Sequence, residues 1–201
     1  AELEVKNYTI NADDGAVNYD ADKNSILKLK GTGTAYTGKK SLLFYLGEDG
    51  TGKVSIGNTM NATIEGGTSP ADRGTAFYYV GNGSSVGITD IQNWAKNNFG
   101  DGVNSTLSNL NLTMNPGSRL FIAQNTGMNL SDTTGSALSA ALGANIVGTD
   151  YKTFMLYLSK LTLDQNINLD DLTDAYNKLE ISNSTIENQN SKTITGTSAG
   201  Q

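Results

Sequence analysis

The chain has 201 residues, 14 Lys+Arg against 20 Asp+Glu, a formal net charge of −6, and neither Cys nor His. Without thiol or imidazole there is no Ser-His or Cys-His nucleophile, no histidine base, no ordinary zinc site and no disulfide scaffold. The acidic balance excludes nucleic acid as a partner, because phosphate binding needs a basic stripe and the densest basic spot is Lys39-Lys40. No apolar run reaches the roughly 18 residues of a spanning helix, so this segment is not expected to insert directly into a membrane. The chain begins at Ala1 and carries no signal peptide, and it reads as a processed or excised piece.

Asn, Thr, Ser and Gly make up 86 of the residues while charged residues are only 17%. With Val, Ile, Leu and Tyr interleaved, that mixture predicts short strands joined by tight turns. In chain order, strands are expected at 5–10, 25–30, 42–46, 53–56, 62–64, 75–80, 106–114, 119–123, 153–163, 179–186 and 193–195. Helical insertions are expected near 90–100, 132–147 and 169–179. The first places Ile91, Trp94, Ala95 and Phe99 near helical spacing, with Asp90 at its start and Gly100 at its end. The second stops at Gly143, and the third gathers Asp170, Asp171 and Asp174 in its first turn.

Four of the five Phe open similar apolar runs, at 44, 77, 121 and 154. The spacings are 33, 44 and 33, and each run is preceded by a basic residue (Lys40, Arg73, Arg119, Lys152). A period of this length predicts stacked supersecondary units, since one turn of short strands cannot bury its own inner face. The fold class expected is all-β, with 1–201 forming one β-solenoid interrupted by short helices.

The stretches Gly31-Thr-Gly-Thr-Ala-Tyr36, Leu42-Leu-Phe-Tyr-Leu-Gly47 and Gly74-Thr-Ala-Phe-Tyr-Tyr-Val-Gly81 resemble the passenger regions of large type V autotransporter adhesins, closest to those of fusobacteria. The resemblance spans about residues 25–90. It implies a right-handed parallel β-helix, secreted to the bacterial cell surface and anchored in the outer membrane through a barrel outside this chain. It also implies a role in virulence, by adhesion to a host cell-surface protein or glycan or to partner bacteria. The helical insertions depart from a bare coil stack.

Candidate sites are few. Trp94, the single Trp, with Asn93, Asn97 and Asn98, forms an aromatic and amide set suited to a sugar ring or protein anchor; packing of the insertion onto the stack is the competing account. Asp20, Asp22 and Asn24 place oxygens at alternate positions, as a hard-cation loop does, but the sixth position is Ser25 and the twelfth Gly31. The run 164–170 has the same character, and Asx turns explain both. The acidic pairs Asp13-Asp14, Glu48-Asp49 and Asp170-Asp171 raise a polysaccharide-active enzyme as an alternative, and a compact β-sandwich binding module is another. Neighbouring strand residues point to opposite faces, so a pair on a strand does not converge. The chain is expected not to be an enzyme and to need no cofactor.

Overall fold

The computed structural model describes residues 2–6, 11–12, 16–20, 26–30, 36–38, 41–45, 53–56, 60–64, 66, 73–99, 107–108, 110–168, 179–189 and 191–196, with side chains at 64, 66, 73–96, 107–108, 110–168, 179–189 and 191–196. The strands come in short sets: β1 (Glu2–Lys6), β2 (Asn11–Ala12) and β3 (Ala16–Asp20); β4 (Ile26–Lys30), β5 (Tyr36–Gly38) and β6 (Ser41–Tyr45); β7 (Lys53–Ile56), β8 (Met60–Ile64) and β9 (Thr75–Val80). Helix α1 (Ile88–Phe99) then precedes β10 (Leu110–Met114), β11 (Arg119–Gln124) and β12 (Gly127–Asn129). A 3-10 turn (Leu130–Thr133) and helix α2 (Gly135–Leu142) lead to β13 (Asn145–Gly148) and β14 (Lys152–Tyr157). The last strands are β15 (Lys160–Leu163), β16 (Ile167–Asn168), β17 (Leu179–Ser182), β18 (Thr185–Asn188) and β19 (Ile194–Thr195).

The fold is all-β with two helices among the described residues, and the ladders between these strands are parallel. The sheets run β1-β4-β7, β2-β5-β8-β10-β13, β3-β6-β9-β11-β14-β17, β12-β15-β18 and β16-β19. Consecutive strands thus fall in different sheets, and β4, β5 and β6 revisit the sheets of β1, β2 and β3 in the same order. Parallel neighbours require a crossover between them, which the intervening strands supply here, with α1 in place of one of them between β8 and β10 and between β9 and β11.

The four repeat-position phenylalanines stand in direct register: Phe44 with Phe77, Phe77 with Phe121, and Phe121 with Phe154. Tyr19 extends the column at one end and Leu179 at the other. From Tyr19 to Phe44, and again from Phe154 to Leu179, the step is 25 residues. The 33- and 44-residue steps read from the sequence are enlarged turns of that basic unit. The step from Phe121 to Phe154 contains α2, and the step from Phe77 to Phe121 contains α1.

Phe77, Phe121 and Phe154 are fully buried, with Leu110, Leu112, Met114, Leu120 and Leu156 beside them in one cluster. Each such side chain is worth about 1.5–3 kcal/mol of burial. Both helices dock on this core: Ile91 and Ala95 of α1 and Leu138 and Leu142 of α2 are buried in it. Thr134 accepts from the Ala137 N–H at the start of α2, and Gly143 (φ 71°) closes its end.

Several boundaries differ from the expected ones. The apolar run 153–163 is two strands, β14 and β15, broken at Leu158-Ser159; the run 179–186 is likewise β17 and β18, broken at Asn183-Ser184. The expected strand at 106–114 narrows to β10. The first helix starts two residues before Asp90, whose carboxylate accepts from the Gly87 N–H at 2.8 Å from within the first turn. The insertion expected to 147 gives way to β13 at Asn145. Residues 169–178 lie outside the described residues, and Leu179 opens a strand.

Candidate functional site

Three two-residue corners link the third sheet to the fourth. Asn125-Thr126, Leu158-Ser159 and Asn183-Ser184 follow β11, β14 and β17, four residues beyond Phe121, Phe154 and Leu179. The first residue of each corner is left-handed, with φ of 54°, 49° and 47°. The second carries a hydroxyl. Ser159 Oγ accepts from the Thr126 N–H at 3.2 Å, and Ser184 Oγ accepts from the Ser159 N–H at 3.0 Å. Each of these oxygens also lies 2.8 Å from a carbonyl of its own turn, Tyr157 O and Ser182 O respectively. The corners therefore stack through a ladder of hydroxyls.

The turn after β9 has Gly81 at the equivalent place. Its N–H donates to Gln124 O at 2.8 Å, and the Gly83 N–H donates to Asn125 O at 2.7 Å. A Cβ on Gly81 would meet Asn125 O at 2.8 Å and Thr126 Cγ2 at 2.5 Å, so only glycine lets this segment press onto the next corner.

An open groove of about 560 Å³ results, lined by Val80, Gly81, Asn82, Gln124, Asn125 and Leu158. Tyr78 donates its hydroxyl to Gln124 Oε1, Asn125 Nδ2 donates to Gly81 O at 3.0 Å, and Asn82 Oδ1 accepts from the Ser84 N–H at 3.1 Å. These bonds fix the three amides and leave Gln124 Nε2, Asn82 Nδ2 and Asn125 Oδ1 without a partner among the described residues. Tyr157 stands in register beside Gln124. The lining carries no charge, no acid or base and no nucleophile. Its chemistry is that of amide donors and acceptors flanked by apolar carbon, which suits a neutral, hydroxyl-rich ligand.

Trp94 does not join this groove. Its ring packs edge-on against Phe77, Tyr79 and Phe121, with centroids 6.5, 6.0 and 5.8 Å away. Helix α1 is thereby pinned to the phenylalanine column, the packing role weighed against the platform role. Asn93 is exposed on α1; Asn97 and Asn98 belong to α1, and their side chains lie outside the described residues. Asp20 ends β3 in register with Tyr45. Its side chain, and Asp22 and Asn24 altogether, lie outside the described residues, as do the pairs Asp13-Asp14, Glu48-Asp49 and Asp170-Asp171.

Other carboxylates serve the fold. Asp164 accepts from the Ser131 N–H at 3.1 Å and from the Ser131 hydroxyl, and Asn166 Oδ1 accepts from the Thr193 N–H at 3.0 Å. These bonds tie neighbouring turns together and are not the local Asx turns expected of the 164–170 run, whose last two residues lie outside the described residues. Burial pushes the Asp132 carboxyl up, and the charges of Asp164 and Asp90 add to this against a hydrogen bond from the Ile88 backbone. Glu180 receives Arg119 Nε and Nη2 at 3.2 and 3.0 Å and Arg73 Nη1 at 3.0 Å. Burial pushes its carboxyl up, but the Arg119 hydrogen bonds and the charges of Arg119, Arg73 and Lys152 outweigh that and hold it below the usual range. Two of the basic residues that precede the phenylalanines thus meet on one acid.

The corner groove was not foreseen from the sequence. Its signal was present, since Gly81, Asn125, Leu158 and Asn183 all fall four places after the repeat position, and three of the four are residues that tolerate left-handed backbone. No family model, curated protein or solved structure matches this chain.

Proposed function

We propose that the chain is a segment of a right-handed parallel β-helix from an extracellular bacterial surface adhesin, of the autotransporter-passenger kind that its 31–36, 42–47 and 74–81 motifs resemble. The supporting observation is the repeated return of the chain to shared parallel sheets, three of them for β1–β9 and one running from β3 to β17, with the side chains of one corner left facing outward as an uncharged amide groove. Tyr78, Asn82, Gln124 and Asn125 are the residues proposed to meet a host-cell or bacterial surface ligand, with Val80 and Leu158 supplying apolar contact. In this reading the protein is displayed at the cell surface, held to the outer membrane through a region outside this chain. It performs no catalysis.

The test is binding of the purified chain to an array of neutral glycans and to intact host and bacterial cells, repeated with Gln124→Ala and Asn82→Ala. Asn82 is exposed and Gln124 half-buried, and unchanged circular dichroism checks the fold of both variants. The expected result is retention by at least one surface and a loss of about tenfold or more with either variant, one or two lost hydrogen bonds being worth that much. Binding that neither variant weakens would move the site off this groove. Absence of binding to every surface would remove the adhesin reading.

A further inference from the structure

Of all the asparagines in the chain, Asn82 alone is followed by glycine. The pair sits in the turn after β9, and both residues are exposed. Asn82 also lines the corner groove. At the equivalent corners Asn125 is followed by Thr126 and Asn183 by Ser184, and their Cβ atoms shield the backbone nitrogen. Gly83 puts no such atom beside its own nitrogen.

The turn brings the two residues into a reactive arrangement. Asn82 Oδ1 accepts from the Ser84 N–H at 3.1 Å. A side-chain carbonyl bonded to the N–H two residues on is folded back over the intervening peptide, here the one that carries the Gly83 nitrogen. The same bond draws electron density from the Cγ carbonyl and makes Cγ the better electrophile. Gly83 has φ +89°, and a Cβ built on it would meet nothing closer than Asn125 Oδ1 at 4.0 Å, so no side chain crowds the turn. The Gly83 N–H donates to Asn125 O at 2.7 Å. That bond holds the peptide plane in place, and it is given up as the nitrogen loses its proton to base.

We infer that Asn82 is a self-modification site, which closes on the Gly83 nitrogen and opens to aspartate or isoaspartate, placing a carboxylate in the otherwise uncharged groove. The Gly83 N–H proton passes to solvent, and the nitrogen forms a bond to Asn82 Cγ. The Cγ–Nδ2 bond breaks, and Nδ2 takes a proton from solvent and leaves as ammonia. Water then opens the five-membered imide. Attack at Cγ gives aspartate; attack at the backbone carbonyl of residue 82 gives isoaspartate, with the chain rerouted through Cγ. No oxidant or reductant takes part.

Either product removes the Nδ2 donor and sets a charge beside Asn125 Oδ1, an acceptor. Isoaspartate also adds an atom to the backbone and pulls Gly83 off Asn125 O. A neutral ligand loses a hydrogen bond and meets a carboxylate that resists desolvation. This effect on recognition rests on the groove being the ligand site; the modification itself does not.

The test is peptide mapping by mass spectrometry of the full folded chain, held at neutral and at mildly alkaline pH and sampled over days, with Gly83→Ala alongside and circular dichroism confirming both folds. Residue 82 is expected to gain the mass that separates aspartate from asparagine ahead of every other asparagine, faster in alkali, as two separable isomers. Gly83→Ala is expected to slow this by about tenfold or more, because the reacting atoms are displaced from contact. Should that variant not fold, the native map decides alone. Conversion elsewhere while residue 82 stays intact would overturn the proposal. So would aspartate with no isoaspartate, the mark of direct hydrolysis. The converted chain is then compared with the fresh one on the surface that retains it, and a loss of about tenfold or more is expected. Native-strength binding by the converted chain, with weaker binding by Asn82→Ala, would overturn the effect on the groove. Native-strength binding by the converted chain, Asn82→Ala and Gln124→Ala alike would instead remove the groove as the ligand site, and the peptide map would still decide the modification.

Discussion

Leu158 and Asn125 occupy the same corner of successive turns, and both hold left-handed backbone, at φ 49° and 54°. Asparagine tolerates that region, whereas leucine pays roughly 1–2 kcal/mol for it through the clash of Cβ with the following carbonyl. Leu158 is 50% exposed, so little apolar burial offsets the strain. Leu158→Asn is therefore expected to stabilise the fold by about 0.5–1 kcal/mol, and Leu158→Val to destabilise it by about as much or more. Urea unfolding midpoints read both. A Leu158→Asn variant with a lower midpoint would show that leucine contributes packing at this corner that outweighs its backbone cost.

These corners also mark where the sequence was legible and where it was not. The phenylalanine spacing placed one buried column correctly because the same large side chain recurs where the register demands it. Tyr19 and Leu179 escaped notice because a column accepts any large apolar residue, and with them went the 25-residue unit. The breaks at Leu158 and Asn183 escaped for a related reason. A turn of two residues leaves the apolar alternation on either side almost continuous, and leucine carries no turn signal of its own. The groove is a tertiary product, made by a glycine turn of one coil pressed onto the asparagine corner of the next. No local window contains both. For Trp94 and its helical spacing the sequence left two accounts open, and the ring contacts with Phe77, Tyr79 and Phe121 are those of the packing account.

Ser159 ties three turns at one oxygen and its own N–H. Its hydroxyl accepts from Thr126 N–H, lies within hydrogen-bond reach of Ala123 O and Tyr157 O, and its N–H reaches Ser184 Oγ. Ser159→Ala keeps the backbone bond to Ser184 but leaves the Thr126 N–H unsatisfied at a buried position. A loss of about 1–3 kcal/mol is expected, the cost of desolvating an unpaired group. Ser184→Ala should cost less, because its turn is more exposed. Equal losses in calorimetric midpoint for the two variants would argue that burial plays no part in the ladder.

Glu180 makes stability depend on acid. Its folded-state carboxyl is held below the usual range, so the folded form binds its proton less readily than the unfolded chain does. The resulting stabilisation is fully present above the ordinary glutamate value of about 4.3 and is lost as pH falls through the lower folded value. Glu180→Gln is expected to flatten that acidic part of the stability curve. It should also lower stability at neutral pH by about 1–3 kcal/mol, since the charge-assisted bonds from Arg119 and Arg73 to this carboxylate are lost. The check is chemical denaturation from pH 3 to 7 with both proteins. A mutant whose acid dependence matches the native chain would place the controlling carboxylate elsewhere.

Trp94 offers the clearest separation between packing and recognition. Its ring stands edge-on to Phe77, Tyr79 and Phe121, which span two adjacent turns of the stack. Removing it opens a gap between α1 and the phenylalanine column at the place where the 44-residue step departs most from the basic turn. Trp94→Ala is expected to destabilise the fold by about 2–3 kcal/mol, less than a fully buried aromatic, because the ring is partly exposed and packs against the core rather than within it. Trp94→Phe should recover much of that, because a smaller ring still meets the column edge-on. A binding platform predicts the opposite pattern: near-native stability for Trp94→Ala and a loss of ligand retention. Because Trp94 is the only tryptophan in the chain, its fluorescence reports this position alone, and slow quenching by acrylamide in the native state is the matching observation. Ready quenching together with a stable Trp94→Ala protein would return the residue to the surface role, and with it the amide of Asn93 beside it on α1.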